Sequence, residues 1–218
     1  MGLVELVGVL GNDLTVVNAA RVSMDKMSSV VNEKDEKLIH YLAKHNHWTP
    51  FAHVQFQFRI KMPIFVAREW FRSTVGLSRN EVSRRYVDTP PDFWTPKGAW
   101  RGRAENVKQG SGDLLPEEVC DEATRLYWEA VDVCSENYRA MLDIGVCPEQ
   151  ARTLLPQSML TEFIETGSLA AYARIYGLRS DPHAQKEIQE YALAIGEHIE
   201  KIVPVSWKAL TGGKDTCK

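Results

Sequence analysis

Cysteine is scarce in this chain. There are four in 218 residues (Cys120, Cys134, Cys147 and Cys217), and no two stand in a Cys-x-x-Cys spacing. That excludes a disulfide framework and fits a reduced, cytoplasmic setting. Long hydrophobic runs are also missing: the longest, around residues 63–67, is far short of a bilayer span, so no transmembrane helix is expected. The opening MGLVELVGVLGNDL lacks a basic start and carries Glu5 among its apolar residues, so it does not read as a signal peptide. Nor is there an excess of positive charge. Lys and Arg number 26 against 29 Asp and Glu, a net charge of −3, whereas a protein that coats nucleic acid needs a basic domain. GxGxxG, P-loop and GxSxG patterns do not occur. His47, His53 and His183 make no zinc spacing, and no cysteine has a basic neighbourhood that would generate a thiolate; neither a metal nor a cysteine nucleophile is expected.

What is present is globular. Hydrophobic residues make up 44% and charged residues 25%, which excludes a disordered or coiled-coil chain. The length suits a single domain over 1–218, with the polar stretch 210–218 as a frayed tail. Residues 3–10 read as a strand, and Asn12 and Asp13 open a helix over 14–22. Asn32 caps a second helix to His45. Over 53–61 the alternation is strict, with Val54, Phe56, Phe58 and Ile60 on one face and Gln55, Gln57, Arg59 and Lys61 on the other, which predicts a half-buried strand. A short helix follows Pro63, and 84–88 reads as another strand. Residues 89–113, rich in Pro, Gly and charge, predict a long surface loop. A helix is expected over 116–141 with Leu126, Ala130, Val133 and Met141 in phase, and another over 182–203 behind Asp181, with Ile188, Tyr191, Ala192, Ile195, Ile199 and Ile202 on one face. Strands come first and helices later, so the class is α+β, a mostly antiparallel sheet packed with long helices.

Chemistry concentrates in REWFRSTVGLSRNEVSRRY (68–86), where Arg68, Arg72, Arg79, Arg84 and Arg85 are interleaved with Gly76, Ser78, Asn80 and Ser83. Two readings stay open. One is a solvated basic face. The other is an anion cradle, because guanidinium forks match phosphate oxygens and small residues let backbone N–H groups approach them. A basic patch in a mildly acidic chain favours a phosphorylated small molecule over a nucleic-acid strand. Arg179, in GLRSDPHAQ (177–185), reads locally either as a surface ion-pair member or as a projecting functional group; Arg152 has a weaker local signal.

At these residues the chain resembles the flavin-dependent thymidylate synthases, the thymidylate synthase complementing proteins. The segments that carry the resemblance are NAARVS (18–23), HNHWTPFAHVQFQF (45–58), MPIFVAREWFR (62–72), NEVSRRYV (80–87), ARTLLP (151–156) and LRSDPHAQKEIQEYALAI (178–195). The resemblance implies a homotetramer with active sites shared between subunits, binding FAD, dUMP and methylenetetrahydrofolate and taking reducing equivalents from NADPH. It implies reductive methylation of dUMP to dTMP without an enzyme cysteine nucleophile. Carried over residue by residue, Glu69, Arg72, Glu81, Val82, Ser83, Arg84, Arg85, Arg152 and Arg179 match dUMP-contacting positions. Of these, Arg179 is set against the uracil and Ser83 lies near the reacting ring. Thr49, Arg72, Ser73, Thr74, Glu81, Ser168, Ala170 and Arg174 match flavin-contacting positions, and His53 is read as packing support. The match has gaps. The family signature begins Arg-His-Arg followed by seven residues and Ser; here Arg72-Ser73-Thr74 stands there, with eight residues before Ser83. Ser168 and Ala170 replace a common Asn and Arg, and Glu69 a common Gln. These departures keep two alternatives in view: an enzyme making a different 5-substituted dUMP, such as a hydroxymethyl product, and a dUMP-binding homologue with impaired catalysis.

Overall fold

The computed structural model describes residues 2–87, 89–96, 100–105 and 110–212. In chain order these form β1 (Leu3–Leu10), α1 (Asp13–Arg21), α2 (Glu33–Lys44), α3 (Thr49–Ala52), β2 (Gln55–Pro63), α4 (Ile64–Trp70), β3 (Leu77–Glu81), β4 (Arg101–Arg103), β5 (Ser111–Leu114), α5 (Glu117–Asp143), α6 (Pro148–Ala151), β6 (Leu160–Ser168), α7 (Leu169–Arg179), α8 (Lys186–Glu200) and α9 (Pro204–Thr211), with 3-10 turns at Val22–Met24 and Arg152–Leu154. One four-stranded sheet has the order β1-β2-β6-β3; β4 and β5 pair separately. Leu169 N donates to Val54 O (2.9 Å) at one end and Ile64 N to Met159 O (2.9 Å) at the other, so β2 and β6 are antiparallel. Val82 N to Glu162 O (2.9 Å) and Ser168 N to Gly76 O (3.2 Å) make β3 and β6 antiparallel as well. The α+β class with an antiparallel sheet and long helices is as the sequence predicts.

The chain divides into two compact units, one built from 2–3, 60–71 and 80–163 and the other from 4–59, 72–79 and 164–212. In the second unit the inward side chains of β2, Phe56 and Phe58, are fully buried with Val16, Val17, Ile39, Phe51, Leu169, Ile188 and Ile199. Each such side chain contributes roughly 1.5–3 kcal/mol by leaving water. Helix α7 packs on α3, α8 and α9. The α7–α8 approach needs Gly196, because a Cβ there would lie 2.6 Å from the Tyr176 ring. Helices α1 and α2 start at capping boxes, Asn12 with Thr15 and Asn32 with Asp35. Buried Asp13 accepts from Val205 N (3.1 Å) and Ser206 N (2.8 Å), capping α9 from the other end of the chain. The first unit buries Ile60, Met62, Val66, Trp70, Phe163 and Met159, with Phe71 edge-on to Phe163 at 4.9 Å between centroids.

Five sequence expectations change. The strand expected over 84–88 is Leu77–Glu81 instead; 84–86 form a turn closed by Tyr86 N to Ser83 O (3.0 Å), and residue 88 lies outside the described residues. The strand's half-buried positions are Leu77 and Arg79, one apolar and one charged, so no apolar alternation marks it. The loop expected over 89–113 contains the antiparallel β4–β5 hairpin, with Arg101 opposite Leu114, and Phe93 bridges to Met159; residues 97–99 and 106–109 lie outside the described residues. On α5 the buried residues are Cys120, Val131 and Tyr138, while Leu126 and Val133 from the expected stripe are 52% and 56% exposed. Helix α8 begins at Lys186, not Pro182: Asp181 Oδ1 accepts from His183 N (2.8 Å) and spends its cap on a turn. In the expected tail, Leu210 and Thr211 are helical and Gly212 closes α9 at φ 74°; 213–218 lie outside the described residues. Among the described residues no helix is long and apolar enough to cross a membrane.

Candidate active site

The first unit holds a cavity of about 250 Å³ lined by Glu81, Val82, Ser83, Arg84 and Arg152, with Ile64, Leu155, Met159, Leu160 and Thr161 completing the wall. These residues come together because β3 ends at Glu81 beside β6. Val82 N donates to Glu162 O, and the buried Thr161 hydroxyl donates to Glu81 Oε1. The chain then turns, so Ser83 and Arg84 face the cavity. Ser83 Oγ accepts from Arg85 N (3.3 Å) and Arg84 Nη1 donates to Thr89 O. Arg152 sits on the 3-10 turn after α6, exposed, with Nε donating to Glu149 O (3.3 Å). Arg85 does not line the cavity. It pairs with Glu149 Oε1 at 3.2 Å, donates to Tyr86 OH (2.7 Å) and lies over the Tyr86 ring at 5.1 Å. Its side chain and that of Glu149 are both exposed, and a solvated pair of this kind is worth roughly 0–1 kcal/mol. Arg85 can therefore be drawn to a stronger anion at little cost. Glu69 is half-buried on the last turn of α4, away from the cavity wall.

The second unit holds a cavity of about 350 Å³, walled by the rings of His47, Trp48 and Phe51, by Leu42, Ala43, Asn46 and Leu210, and by Ala170 and Arg174 of α7. Asn46, at φ 57°, closes α2: Asn46 N donates to Ala43 O (3.1 Å) and His47 N to Leu42 O (2.9 Å). That closure brings His47 and Trp48 to the cavity mouth, where Trp48 is 63% exposed. Thr49 follows as the first residue of α3 and is exposed. Ser168 is buried and committed to structure, its Oγ accepting from Ala171 N (3.2 Å) at the start of α7. Arg174 Nη2 donates to Val75 O, tying the cavity's cation to the loop that carries Arg72, Ser73 and Thr74. Arg72 is exposed; Ser73 O accepts from Arg79 Nη2 (2.7 Å) and Thr74 O from Leu77 N (3.3 Å). Arg179 is the half-buried last residue of α7, which continues through Gly177.

The sequence reading missed Thr161, Leu155 and Met159 in the first cavity and His47 and Trp48 in the second. Only Trp48, a large aromatic between two polar residues and a proline, carried a local signal.

A family model described as "Thymidylate synthase complementing protein" matches residues 5–205. The chain belongs to that family. It is 38% identical to the flavin-dependent thymidylate synthase of Thermosipho melanesiensis over 208 residues, covering 95% of this chain and 90% of that one. It is 42% identical to a flavin-dependent thymidylate synthase of Thermus thermophilus over 209 residues, covering 95% of this chain and 75% of that one. Among solved structures, the UMP/dUMP methylase PolB from Streptomyces cacaoi, bound with 5-Br dUMP, superposes with a TM-score of 0.87 at 29% identity, covering 97% of this chain and 95% of that one. As a member of the thymidylate synthase complementing family, the chain takes its arginine-rich 68–86 segment as part of a fold that it shares with a nucleotide methylase.

Proposed function

We propose that this protein is a flavin-dependent thymidylate synthase: it transfers the methylene carbon of methylenetetrahydrofolate to C5 of dUMP and reduces it to methyl, consuming NADPH and a proton and releasing dTMP, tetrahydrofolate and NADP⁺. The observation that carries the reading is the first-unit cavity, where Glu81, Ser83, Arg84 and Arg152 converge on a volume suited to part of a nucleotide. Arg84 and Arg152 hold the 5′-phosphate, and Arg85 joins them by exchanging its exposed Glu149 partner for a dianion. Ser83 and Glu81 orient the pyrimidine, with Glu81 fixed by the Thr161 hydroxyl. Arg179 stabilises negative charge developing at N3 and its flanking carbonyls, the role of a preorganised cation.

The second-unit cavity fits part of a dinucleotide such as FAD: His47, Trp48 and Phe51 offer faces to a planar ring system, and Arg174 offers a cation to a phosphate. Thr49, Arg72, Ser73, Thr74, Ser168 and Ala170 belong to the same flavin-binding reading. When bound and reduced, the flavin supplies the hydride. Free Cys120, Cys134 and Cys147 have no place in this scheme; Cys120 is buried with its thiol directed at Leu115 O (3.4 Å). The exposed Leu126 and Val133 of α5 are consistent with a homotetramer, and the reading places the enzyme in the cytoplasm.

The test is an anaerobic assay with dUMP, methylenetetrahydrofolate, FAD and NADPH, omitting each in turn, with product mass as readout. A product heavier than dUMP by one CH₂, lost on every omission, is expected. A hydroxymethyl product, or none, overturns the reading. UMP belongs in a parallel arm, because PolB is a UMP/dUMP methylase.

A further inference from the structure

Arg79 and Glu165 make an ion pair inside the second unit that the functional reading leaves unused. Glu165 is fully buried and the Arg79 side chain is 13% exposed. They face each other across β3 and β6, with Arg79 Nε donating to Glu165 Oε2. Tyr172, also buried, donates to the Glu165 main-chain oxygen (3.4 Å), and burial together with the Glu165 charge pushes its phenol well above the ordinary tyrosine range. Desolvating two charges is costly, and well-packed apolar residues in such a place are commonly as stable or more so. Core stability therefore does not explain the pair, and its geometry supplies the explanation. The Arg79 fork also reaches Ser73 O (2.7 Å), six residues back along the chain.

Ser73 opens a loop whose main-chain oxygens are all engaged. Arg79 takes Ser73 O, Leu77 N takes Thr74 O, Arg174 takes Val75 O, and Ser168 N takes Gly76 O. Gly76, at φ 78°, permits the path, and a Cβ there would stand 3.1 Å from the Ala171 side chain. In a planar trans peptide the N–H points opposite to the preceding carbonyl. Drawing Ser73 O toward Arg79 and Val75 O toward Arg174 therefore turns the amides of Thr74 and Gly76 to the other side of the loop.

We propose that Arg79, locked by Glu165, is a positioning residue that presets the 72–76 loop for the flavin, in a chain where Ser73 and Thr74 stand in place of two signature side chains. The proposal rests on the reading that this loop meets the flavin. An arginine held at Nε by a buried carboxylate aims a second nitrogen at a fixed carbonyl through its rigid planar fork; lysine, whose three donors share one nitrogen on a flexible stem, lacks that preset geometry.

The test uses the full chain with Arg79→Met combined with Glu165→Met, which removes both charges together, and Arg79→Lys as a second variant that keeps the charge. Three quantities are read: the unfolding midpoint, FAD affinity by flavin fluorescence, and amide hydrogen exchange of 72–77 without ligand. The double variant should melt within a few degrees of wild type, while its loop amides exchange about ten-fold faster or more. FAD affinity should fall about ten-fold or more in both variants, with turnover recovering at saturating FAD. Unchanged loop exchange in a folded variant overturns the positioning role, whatever the ligand. Faster exchange with FAD affinity unchanged overturns the link to the flavin. If wild type binds no FAD, the functional reading has failed, and the exchange data alone decide whether Arg79 orders the loop.

Discussion

The two units use arginine in opposite ways. In the first unit, Arg85 and Arg152 sit on exposed turns, held by a solvated carboxylate and a main-chain oxygen. In the second, Arg79 is shut in with a buried carboxylate, while Arg174, which lines the cavity, is exposed and bonded to Val75 O. A solvated guanidinium loses little on changing partners, whereas a buried one is committed because an unpaired charge in the interior is expensive. Arginines of the first kind can follow a ligand, and those of the second hold the shape that a ligand meets.

The largest expected effect separates the cavities by ligand. Arg152→Ala should raise the KM for dUMP roughly 10- to 100-fold, the loss of one charge-assisted contact, while FAD affinity stays within about two-fold. Equal losses for both ligands in steady-state and fluorescence titrations would erase the distinction between the two sites. Arg174→Ala should do the reverse, weakening FAD roughly ten-fold with little change in the KM for dUMP. A change in the KM for dUMP alone would reassign the second cavity. Gly76→Ala is milder: forcing a left-handed backbone beside Ala171 should lower the unfolding free energy by about 1–2 kcal/mol in urea melts. Wild-type stability there would mean that the loop is looser than its hydrogen bonds imply.

The smallest effect tests the premise that solvated pairs are weak. The Lys61 ammonium, bonded to Asp92 at 2.5 Å, holds that carboxyl below the ordinary range by hydrogen bonding and by charge. A lowered folded-state pKa stabilises above the unfolded value of about 4 and is lost as pH falls through the folded value. Asp92→Asn should therefore cost under about 1 kcal/mol at neutral pH, and the difference should vanish in strong acid. A gap that persists unchanged at low pH would show that the pair acts through something other than charge.

Where a segment buries one face with apolar residues, its sequence pattern and its structure agree. The alternation of β2 matches fully buried Phe56, Phe58, Ile60 and Met62, and the 3.6-residue stripe of α8 matches buried Ile188, Ile195 and Ile199. The pattern is silent for β6, whose inward face carries Thr161, Glu165 and Gly167 beside Phe163. It misleads on α5, where apolar residues lie on two flanks and, among the described residues, only one of them is covered. For the site, the residue types in 68–86 announce an anion-binding segment, but they do not divide it. Residues 81–84 line one cavity, while 73–76 belong to a loop held from behind.

Local order along the chain thus determined the α+β class, the helix caps at Asn12 and Asn32, and the chemistry of the arginine-rich segment, because periodicity and charge act between near neighbours. Tertiary structure alone decided which arginines face open cavities and which are sealed against Glu165. That choice depends on contacts such as Arg79 with Glu165 and Glu81 with Thr161, between residues some eighty positions apart. Only the pairing of β3 with β6 brings them within bonding distance.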